Sequence, residues 1–177
     1  MVKATIGAGN YPRAKEIGET LMQKGKSGNE LLAEMGIVYM ALKEYPQAIL
    51  IYKQLPDSDP NKYLNLAQAY TTIEDWLNAE TTIKALQKKD PQNAKAYELM
   101  GFVYLKRTPP DPSAAMQQFD KAYSLSKNPK YVEMKKKAQQ TYEQMLKQEL
   151  KESEQKELKE QGKVKDTGTQ QTAPTKK

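Results

Sequence analysis

Gly36-Ile-Val-Tyr39, Ala67-Gln-Ala-Tyr70 and Gly101-Phe-Val-Tyr104 are three copies of one pattern, a small residue followed three positions later by tyrosine. The tyrosines stand 31 and 34 residues apart. Outward from these, a second series keeps pace: Ala14, Ala48, Ala79 and Ala115, separated by 34, 31 and 36. A third is Pro60, Pro91 and Pro129, separated by 31 and 38. Three markers of different chemistry drift together around a period of about 34 residues, with the length changes where loops belong.

Within a unit the period is helical. Leu32, Met35, Gly36 and Tyr39 fall at i, i+3, i+4 and i+7, one face of a helix, and Ala48, Ile49, Tyr52 and Leu55 repeat this on the next segment. The small residue lets the paired helix come close, the recurrent alanine is its partner, and the tyrosine fills the space beside them. One such pair cannot bury its apolar face alone, so units must stack. Asp59-Pro60, Asp90-Pro91, Asp111-Pro112 and Asn128-Pro129 each set a capping side chain before a proline at a first helical position. The fourth unit carries two extra residues around Thr108-Pro109-Pro110, where the prolines forbid helix continuation. The pattern predicts helices over 11–24, 29–42, 45–55, 60–72, 75–88, 92–106, 112–126 and 129–160.

These units resemble the tetratricopeptide repeat (TPR) family. The second unit supplies Leu32, Met35-Gly36, Tyr39, Tyr45, Ala48, Tyr52, Leu55 and Asp59-Pro60. The third supplies Tyr63, Leu66-Ala67, Tyr70, Trp76, Ala79, Ile83, Leu86 and Asp90-Pro91. The fourth supplies Tyr97, Met100-Gly101, Tyr104, Ala115, Phe119, Ala122 and Asn128-Pro129. The resemblance covers roughly residues 8–128. It implies an all-α, right-handed superhelix of antiparallel helix pairs. The expected organisation is a repeat domain over 1–128, with a partial first unit at about 1–28 and units at about 29–59, 60–90 and 91–128. A capping and extended charged helix follows over 129–161, then a disordered tail over 162–177. In the first unit, Tyr11, Ala14, Gly18 and Leu21 fit a second helix. Its first helix would need residues before Met1, so either the chain starts inside a repeat or residues 1–7 form a vestigial end.

Composition removes most chemistry. The 177 residues include no cysteine and no histidine, which excludes disulfides, thiol nucleophiles, Cys/His zinc sites and imidazole-based triads. No residue set offers a nucleophile, a base and an orienter together, so no enzyme activity, catalytic residue, cofactor or metal is expected. Gly7-Ala-Gly9 lacks the preceding strand and following glycines of a phosphate loop and reads as a turn between helices. Asp57 and Asp59 would need further oxygen ligands to hold calcium. No run of 18 apolar residues exists and no signal peptide is visible. The default compartment is the cytoplasm; a periplasmic or membrane-associated location is the alternative if a leading signal has been removed.

The net charge of +6 sits mostly in residues 129–177, which hold 12 Lys and 8 acidic residues. Tyr131, Met134, Ala138, Tyr142 and Met145 make a helical stripe there, read as a cap over the last repeat. Beyond it, Glu143–Lys147 and Glu152–Lys156 support a solvated helix, each pair by roughly 0.2–0.5 kcal/mol. Because acids offset the bases, nucleic-acid or anionic-surface binding through this segment is disfavoured.

The resemblance implies a concave face lined by the first helix of each unit and open to a peptide or helix. Its candidate residues are Ala33, Ile37 and Met40; Leu64, Asn65, Gln68 and Thr71; and Lys95, Glu98, Phe102 and Leu105. Ile37, Met40, Leu64, Phe102 and Leu105 would make a hydrophobic strip, and a contiguous exposed strip marks an interaction site. Some family members bind acidic C-terminal peptides through a carboxylate clamp of Lys, Asn and Arg. Asn65 and Lys95 fall at clamp positions, but Ala33, Ile37 and Leu99 occupy others, so the clamp is incomplete. The sequence thus points to a protein-interaction scaffold holding an apolar or amphipathic segment of a protein partner, with self-association as the rival.

Overall fold

The computed structural model describes residues 1–168, with side chains described through Glu160. These residues form nine helices and no strand: α1 (Val2–Gly7), α2 (Tyr11–Gln23), α3 (Asn29–Ala41), α4 (Tyr45–Gln54), α5 (Lys62–Thr72), α6 (Trp76–Lys89), α7 (Ala94–Lys106), α8 (Pro112–Ser126) and α9 (Lys130–Gly168). Helices α2 to α8 lie within two residues of the limits expected from periodicity. The six-residue α1 precedes α2, and Ala8 and Gly9 form the turn between them, with Gly9 at φ +72.

Each helix packs on the next in sequence, while α1 also packs on α3 and α5 on α7. The odd-numbered helices therefore form one wall of the stack and the even-numbered ones the other. The motif residues sit where the walls meet. Leu32, Met35, Tyr39, Ala48 and Tyr52 are buried, as are Leu66, Ala67, Tyr70, Ala79 and Ile83 in the next unit. A Cβ added at Gly36 would fall on the ring of Tyr52, and one at Gly101 on the ring of Phe119. The glycines are thus places where two helices touch through backbone on one side and an aromatic ring on the other. One core cluster runs from Val2 through Val103; a smaller one joins Ala115, Phe119 and Ala138 at the C-terminal end.

Two of the four expected proline-linked caps work differently. Asp111 does cap α8, its carboxylate accepting from the Ala114 N–H at 2.9 Å. Asn128 holds the N–H of Lys130, the first residue of α9, whereas Asp59 and Asp90 accept from Asn61 and Gln92, which lie before their helices. These are turns that precede the helix, which is why α5 begins at Lys62 and α7 at Ala94, capped by Asn93. Asp75 and Asn10 supply true caps that hold Asn78 N–H and Arg13 N–H.

The last helix also runs further than expected. α9 continues to Gly168, so the first seven residues of the segment read as a disordered tail are helical. The rest of that tail, 169–177, lies outside the described residues. Along α9, Tyr131, Met134, Ala138, Thr141 and Met145 are buried or half-buried on one side of the helix, whereas Tyr142, expected in that stripe, is exposed; Met134 and Ala138 pack on α8, and Tyr131 reaches Glu98 of α7. No comparable packing joins α9 to α3 or α5 among the described residues, so α9 caps the end of the stack and leaves the wall built by α3 and α5 uncovered.

Candidate interaction groove

The wall of odd-numbered helices carries all eleven residues singled out as groove-lining, and burial sorts them into three kinds. Ile37 is the exposed one, 45% accessible on α3 although it is a large aliphatic residue. Glu98 is buried, 4% accessible. The other nine, Ala33, Met40, Leu64, Asn65, Gln68, Thr71, Lys95, Phe102 and Leu105, are half-buried. The strip is therefore less free than periodicity implied. Phe102 sets its ring edge-on to Phe119, centroids 5.9 Å apart at 78°. Leu105 packs into the cluster of Ala115, Phe119 and Ala138. Both belong to the C-terminal core as much as to the surface. Ala33, Met40 and Leu64 pack partly against the main core and still reach the wall.

Glu98 is the clearest displacement. Its position beside Phe102 marked it as groove-facing, but α9 covers it. Its carboxylate accepts from Lys95 Nζ at 2.7 Å, Lys130 Nζ at 2.7 Å and the Tyr131 hydroxyl at 3.0 Å. Burial by itself raises the carboxyl pKa, but the hydrogen bonds from Lys130, Lys95 and Tyr131 outweigh it, and the net shift is below the ordinary value. Lys130 is raised in turn, first through its bond to Glu98. Lys95, at a clamp position, is committed to this cluster, which further weakens a carboxylate-clamp reading. Sequence periodicity missed Lys130 and Tyr131 because they lie 32 and 33 residues from Glu98. The available signal was a lone acid in a row whose other members, Ala33 and Leu64, are apolar.

The remaining candidates for chemistry are tied up structurally. Asp57 accepts from Lys62 Nζ at 2.9 Å, and that bond, first among its causes, lowers its carboxyl pKa. Lys89 donates to the Asp57 carbonyl at 3.1 Å and lies over the Tyr63 ring. Among the described residues no group of three acidic side chains is placed to hold a metal ion. The repeat tyrosine Tyr39 donates to Glu19 at 3.0 Å; burial first, then this bond, pushes it up to about 12. No described helix is long and apolar enough to cross a membrane.

Known structures share this architecture. The protein MamA 41-end from Desulfovibrio magneticus RS-1 superposes with a TM-score of 0.66 at 18% identity, over 85% of this chain and 92% of that one. TTC0263, a thermophilic TPR protein of Thermus thermophilus, gives 0.62 at 17%, over 80% and 79%. The fold is a TPR-like solenoid. The first TPR of Spaghetti (RPAP3), solved bound to the HSP90 peptide SRMEEVD, gives 0.59 at 22%, over 64% of this chain and 92% of that one. No family model matches the sequence, and no curated protein matches it. Shared TPR-like architecture at these identities speaks to the fold; the ligand has to be argued from this chain's own wall.

Proposed function

We propose that this chain is a non-catalytic scaffold whose α3–α5–α7 wall holds an apolar or amphipathic segment of a partner protein. The observation that carries this reading is Ile37. A β-branched aliphatic side chain stands 45% exposed in mid-helix on α3, on the wall that also carries half-buried Met40 on α3 and half-buried Leu64 and uncharged Asn65, Gln68 and Thr71 on α5. A wall of this composition suits an apolar anchor with flanking hydrogen bonds better than a charged ligand. The TPR-like neighbour with a bound peptide supports the general mode, while the occupied Lys95 argues against an acidic tail as the ligand here.

The absence of cysteine makes a direct test clean. A single cysteine placed at Gln68, on the wall, and another at Lys84, on the opposite layer, are loaded with a photo-crosslinker. Partner crosslinks are expected from Gln68→Cys and not from Lys84→Cys. Adding Ile37→Glu should abolish them while leaving stability within about 0.5 kcal/mol, as for an exposed position. Equal crosslinking from both sites, or crosslinks only to further copies of this chain, would overturn the reading.

A further inference from the structure

Helix α9 is attached by little for its length. It spans 39 residues, yet through Glu160 it buries only Tyr131 and Ala138, whereas the 13-residue α3 buries five residues and the 13-residue α7 six. Its apolar contact is a small one, Met134 and Ala138 over Ala115, Met116, Phe119 and Leu105. Two polar ties accompany it. One is exposed, Lys135 to Asp120 at 2.8 Å. The other is the buried cluster in which Lys130 and Tyr131, the first two residues of α9, close over Glu98. Immediately before them the chain breaks helix: Lys127 is left-handed at φ 55, and Pro129 cannot donate a backbone hydrogen bond. α9 can therefore leave without α8 unwinding.

We propose that α9 is a releasable strap, docking and undocking as one unit, and that Glu98 is its latch. In the closed state Lys95 of α7 holds one Glu98 oxygen, and the other, Oε2, is held by the first turn of α9 through Lys130 and Tyr131. In the open state it returns to water beside Lys95, so opening leaves no buried unpaired charge. With few buried apolar groups to hold it, α9 opens at a free energy below that of the whole stack. Opening bares Leu105, Ala115, Met116 and Phe119, the end face on which a further helix would stack. The strap thus sets whether the C-terminal end of the solenoid is closed. This inference does not depend on what the α3–α5–α7 wall binds.

Hydrogen exchange read by mass spectrometry on the full chain tests it, comparing wild type with Glu98→Gln and Tyr131→Phe. In the wild type the slowest amides of residues 130–146 should exchange faster than the slowest of α5 to α7. Tyr131→Phe, which removes one hydrogen bond to a charged group, should speed α9 exchange by about tenfold, and Glu98→Gln by more, with α3 to α6 unchanged. If Glu98→Gln fails to fold, Tyr131→Phe carries the comparison. A common rate for α9 and α7 in the wild type, acceleration of all helices together, or no change in α9 in either folded variant would each overturn the proposal.

Discussion

Gly36 offers a substitution whose sign depends on its neighbour. Alanine at a mid-helix glycine is normally stabilising by about 1 kcal/mol, through backbone entropy alone. At Gly36 the added Cβ would lie 2.6 Å from Tyr52 Cζ and 2.7 Å from Cδ1, and Tyr52 is 2% exposed, so the ring has nowhere to go. Overpacking of this kind costs about 1–3 kcal/mol. With the upper half of that range set against the propensity gain, Gly36→Ala should destabilise by about 1–2 kcal/mol, a fall in Tm of roughly 3–6 °C for a chain of this length. The third unit shows the alternative solution, with Ala67 paired at the same 16-residue spacing to the smaller Ile83 in place of the aromatic. Tyr52→Ile alone should cost about 2–4 kcal/mol by leaving a cavity. In that background Gly36→Ala should become stabilising, because its methyl fills space the ring has vacated. The four proteins of the cycle, melted by far-UV circular dichroism, should give a coupling of about 2–3 kcal/mol. A wild-type-background Gly36→Ala that melts at or above the parent would refute the close-approach argument.

Further expectations follow from other sites. Glu98 is held below the ordinary carboxyl value in the folded chain, so its contribution is complete above the unfolded value of about 4.3 and is lost as pH falls through the folded one. The stability gap between wild type and Glu98→Gln should accordingly be constant near neutrality and narrow in acid, as read from urea melts over a pH series; a pH-independent gap would contradict it. Lys43 and Glu74 are left-handed at φ 62 and 59 in the turns after α3 and α5. Lys43→Gly and Glu74→Gly should each raise stability by about 0.5–1 kcal/mol in the same melts, since glycine takes that conformation without strain.

The all-helical stack was legible because its signal is redundant. Small residue, alanine and tyrosine each mark the same interfaces, so an indel in one loop shifts all three together. What periodicity can say is which residues share a face of their own helix. It cannot say what arrives on that face from a later helix, and every misplaced residue is of that kind. Phe102 and Leu105 are on the outward side of α7, yet Phe119 and α9 reach them. Glu98 stands three residues from Lys95, a local pairing that sequence could have suggested, but its burial is decided by Lys130 and Tyr131. The proline-linked turns went astray for a related reason. An acceptor before proline reaches its nearest free N–H, two residues on, and whether the helix starts there or a turn later depends on where the preceding helix delivers the chain. Ile37 lies toward the end of the stack away from α9, where no later helix among the described residues lands, and keeps the exposure its own helix face assigns it. Among the candidate groove residues it is therefore the one whose exposed placement could be read from local sequence alone, and the one on which a test of partner capture can rest without also testing the core.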